Sequence, residues 1–283
     1  MNLRRLRMGL NTVLGLKKEG FFIPYRYAAS LPNATARKSY RAIERFMAER
    51  ERDFAKRLEN LTTYKDRLES FGTLPPPEPR FEQDWFPRLD AAIAYAMVRE
   101  EKPARIVEVG SGHSTRFMAR AIKDEALSTE FTAIDPAPRA AIETLPIQVI
   151  RKTLHEAKND SFANLAPGDI LFIDSSHIAM PGSDVDRLFL DILPSLPAGV
   201  FIHIHDIFLP DDYPDSWDWR GYNEQQITAP LFLGGGYELI FSSAYVASRM
   251  KEGLAQSAVG DLPLPEGAFE TSLWLRKQAI TEK

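Results

Sequence analysis

The chain has 283 residues, 44% of them hydrophobic and 26% charged, a globular balance that excludes wholesale disorder. It contains no cysteine, which excludes disulfides, thiolate metal sites and thiol nucleophiles and fits a reducing, cytoplasmic setting. The net charge of −4 is unevenly spread: residues 1–60 hold 14 Lys and Arg against 6 Asp and Glu, so a basic arm precedes an acidic body. Such an arm suits an anionic partner, but it is more often a solvated helical face, and no nucleic-acid partner is expected.

Along the arm, Leu3, Leu6, Leu10, Val13 and Leu14 share one stripe of a helix that has no acidic residue before Glu19. The segment is too short to span a membrane and lacks the apolar stretch and cleavage site of a secretory signal. Packing on the rest of the chain or on a second subunit is the default expectation, giving a homo-oligomer through the N-terminal helices; an amphipathic helix lying on a surface is the alternative. The turn Gly20-Phe21-Phe22-Ile23-Pro24-Tyr25 is aromatic-rich and expected to pack. Residues 35–71 place Ile43, Phe46, Met47, Phe54, Leu58, Leu61 and Tyr64 near helical spacing. The run Leu74-Pro75-Pro76-Pro77-Glu78-Pro79 ends that pattern, because proline lacks the N–H and fixes φ. It marks off a helical N-terminal extension with its linker, residues 1–79, from a second domain, residues 80–283.

In that second domain helices are expected at 89–99, 114–127 and 183–193, and strands at 104–109, 131–134, 147–151, 169–174 and 199–205. Alternation of this kind predicts an α/β fold, a Rossmann-like, mostly parallel sheet with helices on both faces. Ile170-Leu171-Phe172-Ile173 is apolar throughout, as a strand buried on both faces requires. Two late strands at 237–246 and 272–276 read as a hairpin-like pair at one edge.

The stretch Arg105-Ile106-Val107-Glu108-Val109-Gly110-Ser111-Gly112-His113-Ser114-Thr115 is a strand, a glycine turn and a helix start. Glycines permit a tight turn and close ligand approach, and the helix start offers free N–H groups and a positive dipole end. Those features alone also suit a pyrophosphate. The dinucleotide fingerprint, however, needs a third glycine where Thr115 stands, and Glu108 would repel a pyrophosphate while favouring a cationic group. Asp135, at the end of the second strand, is placed to accept ribose hydroxyls; alone it also reads as a turn aspartate before Pro136.

Taken together, Val107-Glu108-Val109-Gly110-Ser111-Gly112, Ile134-Asp135, Leu171-Phe172-Ile173-Asp174-Ser175-Ser176-His177 and His203-Ile204-His205-Asp206-Ile207-Phe208 resemble a class I S-adenosylmethionine-dependent methyltransferase. Within that superfamily the chain is most similar to bacterial small-molecule methyltransferases, the sugar O-methyltransferases and cephalosporin-hydroxylase-like proteins. The resemblance covers roughly residues 85–280 and implies a seven-stranded sheet with its last pair antiparallel. It also implies that Glu108, Gly110, Ser111 and Gly112 hold the methionine part of S-adenosylmethionine and Asp135 its ribose. His113 and Ser114, at the helix opening, and Asp174 complete the expected cofactor set, and Leu154 and His155 are placed to frame the adenine.

Asp174, His177, His205 and Asp206 fall at the carboxyl ends of the fourth and fifth strands, where parallel sheets put their ligand sites. Metal-assisted O-methyltransferases bind Mg²⁺ with carboxylates there, which makes Asp174 and Asp206 candidate metal ligands. The pattern departs from that family in two places: Ile207 replaces an asparagine, and His205 replaces the first member of an acidic pair. Without metal, His177 or His205 serves as general base, with Asp206 beside them; His203 is assigned a structural role. Tyr213, Trp217 and Trp219 lie in an acidic aromatic segment expected over the acceptor pocket, stacking on a ring or packing as surface. Tyr222-Asn223-Glu224-Gln225 reads as a helix start whose polar groups face the site. The place after the fourth strand lacks the Asn/Asp-Pro-Pro-aromatic motif of base methylation, so the expected acceptor is a small hydroxylated molecule, sugar or natural-product-like. A non-catalytic S-adenosylmethionine-binding or scaffold protein is the alternative, and it would have the acceptor pocket filled.

Overall fold

A computed structural model describes residues 3–32, 37, 39–157 and 160–279 of the chain. It divides into two compact units, one of residues 1–38 and 212–221 and one of residues 39–211 and 222–283.

The larger unit is built on a seven-stranded sheet of order β3-β2-β1-β4-β5-β7-β6. Strands β1 (Arg105–Val109), β2 (Glu130–Ile134), β3 (Gln148–Ile150), β4 (Ile170–Ile173) and β5 (Phe201–Ile204) pair in parallel. All four residues of β4 and of β5 are buried, because both faces of the sheet are covered. β7 (Leu273–Lys277) runs antiparallel between β5 and β6 (Tyr237–Ser242), so the late strands are neighbours without being a hairpin. The sequence-read strand at 237–246 is too long. The Ser242 side chain accepts from the Tyr245 N–H and caps α11 (Ser243–Arg249), which turns the chain out of the sheet. α12 (Lys251–Gln256) follows before β7.

α5 (Arg88–Glu101) buries ten consecutive residues, Leu89 to Val98, as a helix apolar on every side must. It packs beside α6 (His113–Asp124), the helix that follows β1. A short α7 (Asp160–Ala163) precedes β4, and α8 (Asp184–Arg187) continues through a π turn, Leu188–Ile192, into α9 (Leu193–Ser195). α10 (Glu224–Leu233) leads to β6.

The expected helical stretch 35–71 begins at α2 (Arg41–Ala48) and breaks into α3 (Glu51–Asn60), a 3-10 turn Leu61–Tyr64 and α4 (Lys65–Glu69). Its expected start, Thr35, lies outside the described residues. These helices contribute Met47, Phe54, Leu58, Leu61 and Leu68 to the same core as the sheet. Phe54 sits edge-on to Phe241 and Tyr245 at 5.6 and 5.9 Å, and the Tyr245 hydroxyl donates to Glu51 at 2.7 Å. The compact-unit boundary therefore falls before Ser39, whereas the proline run at 74–79 is a surface turn within the larger unit. Proline stops a helix but does not stop apolar side chains on either side of it from sharing one core.

In the smaller unit, α1 (Leu3–Val13) buries no residue. Its other regular pieces are 3-10 turns at Ala28–Ser30 and Asp215–Arg220. Arg37 pairs with Asp212 at 2.8 Å and Asp218 at 3.2 Å, and the Arg220 guanidinium lies 4.1 Å from the Trp217 ring and 5.7 Å from Trp219.

Candidate functional site

Gly110 leaves β1 with φ +80°, and a Cβ there would lie 1.8 Å from the Asp174 carbonyl oxygen. The glycine is thus demanded by the adjacent end of β4, whose Asp174 N–H donates to the Val109 carbonyl at 2.8 Å. Close backbone approach, more than ligand approach, fixes this position.

Glu108 is fully buried, and its two oxygens accept from the Ser114 and Thr115 hydroxyls, each at 2.6 Å. Burial pushes its carboxyl up to about 8, against the two hydroxyl hydrogen bonds and helped by the Asp174 and Asp135 charges. The Thr115 hydroxyl also accepts from the Gly112 N–H at 2.9 Å. The residue standing where a dinucleotide fold has glycine is therefore a working part of the turn, tying Gly112 to Glu108. Ser111 donates to Asp135 Oδ2 from its N–H at 2.7 Å and its hydroxyl at 3.2 Å, while Oδ1 accepts from Ala137 N–H at 2.7 Å. Asp135 is half-buried and keeps lone pairs for further donors. Nothing lies closer than 3.9 Å to where a Gly112 Cβ would be. His113 is buried and pushed down to about 4 by burial and by the Arg116 and Arg80 charges, so it is neutral near pH 7. His113 Nδ1 and Arg116 Nη1 are buried without a hydrogen-bond partner among the described residues.

The ends of β4 and β5 are built differently. Here two histidines face two aspartates, and each histidine is tied behind to a further carboxylate. His177 Nδ1 lies 2.8 Å from Glu224 Oε2, which leaves Nε2 directed at Asp174 Oδ1 and Asp206 Oδ2, both at 3.3 Å. His205 Nε2 lies 3.2 Å from Asp90 Oδ2, with Nδ1 directed at Asp206 Oδ1 (3.4 Å) and Asp174 Oδ1 (3.6 Å). Asp90 in turn accepts from the backbone N–H groups of Thr271 (2.8 Å) and Ser272 (2.9 Å). His177 and Asp206 adopt φ of 60° and 55°, left-handed values that side chains with a Cβ hold only under constraint. Donor atoms of Asp174, His177 and Asp206 all lie within 4.8 Å of one another, close enough to share one metal ion.

Burial alone would push both imidazoles down. Asp206, joined by Asp174 and by Glu224 or Asp90, outweighs it and holds His177 and His205 well above the ordinary histidine value. Burial likewise raises Asp174, but the His205 and His177 charges win and keep its carboxyl well below the usual range. For Glu224 burial prevails over His177 and the shift is upward. His203 is buried, stacks on Phe172 at 3.6 Å and bonds the Ser272 hydroxyl at 2.7 Å; burial and His205 push it down.

The fold thus brings Asp174, His177, His205 and Asp206 together and sets the Gly110 turn against them. Ser111, Gly112, His113 and Asp135 gather at the neighbouring strand ends, while Glu108 and Ser114 turn their polar atoms inward on each other. Leu154 is buried and His155 exposed. Asp90 carried no motif; its signal was one acid within the otherwise apolar run Leu89–Val98. Glu224, read as a helix-start polar group, contacts His177. A surface groove of about 430 Å³, lined by residues including Arg105, Glu130, Thr132, Gln148 and Lys152, holds none of the expected site residues.

Residues 107–207 match the family model described as a methyltransferase domain. No curated protein matches the chain. Among solved structures it is similar to the S-adenosylhomocysteine-bound Podospora anserina methyltransferase PaMTH1, at 16% identity over 92% of this chain and 100% of that one, with a TM-score of 0.42. It is also similar to the O-methyltransferase TomG of Streptomyces achromogenes, involved in tomaymycin synthesis and in complex with S-adenosylmethionine (13%, 79% and 90%, 0.40). A third is the O-methyltransferase of Bacillus cereus in complex with S-adenosylhomocysteine (10%, 79% and 91%, 0.40).

Proposed function

We propose that this chain is a class I S-adenosylmethionine-dependent methyltransferase that methylates a hydroxyl of a small acceptor, aided by a divalent cation, a reading supported by the match of residues 107–207 to a methyltransferase domain. The observation that carries the proposal is the convergence of Asp174, His177 and Asp206 beside the glycine turn.

The residues at the turn fit the adenosyl group. Asp135 is oriented by Ser111 with lone pairs to spare, and among the described residues buried polar atoms of His113 and Arg116 have no hydrogen-bond partner. When bound, S-adenosylmethionine supplies a methyl group on a sulfonium sulfur, open to in-line displacement by an acceptor oxygen. Ser111, Gly112, His113 and Asp135 would hold it. Glu108 and Ser114 act through the loop, holding the turn in shape.

At the reaction centre, the donor set of two carboxylates and an imidazole fits a divalent ion. Imidazole suits Fe²⁺ or Zn²⁺ and carboxylates suit Mn²⁺ or Mg²⁺; of the last two, Mg²⁺ is the more tied to oxygen ligands, so Mn²⁺ fits the mixed set better. Such an ion would act there as a Lewis acid that lowers the pKa of the acceptor hydroxyl. Asp174 and Asp206 would bind it and His177 would offer Nε2, its ring oriented by Glu224 through Nδ1, as carboxylates orient metal-bound histidines. His205, held by Asp90, sets the Asp206 side chain. Metal ligation by His177 and the histidine-base alternative both need a neutral imidazole, and the flanking carboxylates favour the charged form, so a bound cation would have to displace the Nε2 proton of His177.

Calorimetric titration with S-adenosylmethionine and S-adenosylhomocysteine, with Mn²⁺, with Mg²⁺ and with chelator, tests this. Micromolar cofactor binding, followed by acceptor turnover that chelator abolishes and Mn²⁺ restores best, is expected. Turnover indifferent to chelator would return the role of base to His177 or His205. Absence of cofactor binding to folded protein would remove the methyltransferase activity itself. Cofactor binding without turnover across an acceptor screen would leave the scaffold alternative.

A further inference from the structure

The eleven residues of α1 bury no side chain, although the helix carries a continuous apolar stripe. At 100° per residue, Leu3, Leu6, Leu10 and Val13 fall within an arc of about 80°. They are 77%, 40%, 51% and 61% exposed. The helix makes its own contacts on another side. Asn11 Nδ2 donates to Glu19 Oε2 at 2.6 Å, and the Thr12 hydroxyl accepts from the Glu19 N–H at 3.1 Å. The chain that follows therefore folds back on the polar face and leaves the leucines outward. Leu14, Leu16 and Phe22, exposed by 65%, 74% and 68%, extend the apolar surface.

Charge says what covers it. Residues 1–32 hold Arg4, Arg5, Arg7, Lys17, Lys18 and Arg26 against Glu19 alone. Nucleic acid would take the charges but leave the leucines in water. A second copy would cover the leucines while bringing two basic arms together, which like charges oppose. A bilayer rich in anionic lipid answers both features: leucines enter the acyl boundary and basic groups sit among the phosphates. Tyr25 and Tyr27, 55% and 57% exposed, are the residue type that favours the headgroup level. The helix is far too short to cross, and among the described residues no helix is long and apolar enough to do so. We infer that residues 3–32 lay α1 flat on anionic membrane surfaces as a peripheral anchor.

Co-sedimentation of the full-length protein with phosphatidylcholine vesicles, with and without phosphatidylglycerol, tests the inference. Binding is expected to the anionic vesicles, weakening steeply as salt is raised. Leu6→Glu with Leu10→Glu should lower it by roughly tenfold or more. Should that variant unwind the helix, Lys17→Glu with Lys18→Glu leaves the stripe intact and should lower it by roughly fivefold per residue. A Leu10→Trp variant should shift its fluorescence to the blue on anionic vesicles. Equal binding to both vesicle types, or to neither, would overturn the anchor. So would a dimer in sedimentation velocity that the Leu6/Leu10 variant dissolves, without vesicle binding, or capture by nucleic acid alone.

Discussion

Two buried acid-bearing regions sit side by side at the carboxyl ends of the sheet, and they handle burial in opposite ways. At the end of β1, Glu108 is surrounded by hydroxyls, so burial wins and its carboxyl is pushed up to about 8. At the ends of β4 and β5, Asp174 and Asp206 face His177 and His205, and charge wins. The first region is a mould: neutral, hydrogen-bonded and shaped to hold a turn. The second is poised: charged, backed by Glu224 and Asp90, and strained at His177 and Asp206. The carboxyl among hydroxyls holds a loop in shape, and the proposal gives the chemistry to the carboxylates among imidazoles.

The largest break in this comparison comes where the two regions touch. Gly110→Ala would drive a Cβ into the Asp174 carbonyl oxygen, displacing the turn and the cluster at once. Turnover should fall by about 10²-fold or more, with a lowered Tm in a thermal melt that shows the strain is structural. Next, Asp206→Ala and Asp135→Ala should separate the regions. The first should cut single-turnover rate by about 10²-fold with cofactor affinity kept. The second should weaken cofactor binding by about tenfold with chemistry on the bound complex kept. Matching losses in both measurements for either variant would merge the two regions into one. Glu224→Gln sharpens the poised side: metal affinity, read by competition with a chelating dye, should fall by about 10–100-fold.

The smallest effect is a pH slope from the mould. Glu108 binds its proton more tightly folded than unfolded, so its contribution to stability is full below about pH 4.5 and is lost as pH rises towards about 8. Denaturant midpoints should show a slope of up to about 1.4 kcal/mol per pH unit from this group in that window. Glu108→Gln should flatten it; an unchanged slope would mean the carboxyl stays ionised.

The sequence shows β1, β4 and β5 because strands buried on both faces are mostly apolar, with Glu108 and His203 the buried polar residues within them. It shows Asp174, His177, His205 and Asp206 because each stands within a few residues of such a run. Asp90 is invisible for the opposite reason. Its partner His205 is 115 positions away, and an acid in the first turn of a helix has a local explanation in the helix dipole. Thr115 reads as a missing glycine, and only the fold reveals a hydroxyl bridging Gly112 and Glu108. The proline run marked a boundary in sequence that the apolar stripe of α2–α4 crosses, since side chains that share a core ignore a break in the backbone. The leucines of α1 read by default as a packed stripe, because periodicity states which side is apolar and not what meets it.

β7 is the last strand made, yet it is inserted between β5 and β6, and the residues just before it supply the N–H groups that hold Asp90 behind His205. A chain cut before Thr271 would therefore lose the backbone donors to Asp90 and the strand between β5 and β6 together, so the support of the proposed reaction centre is tied to the closing of the sheet.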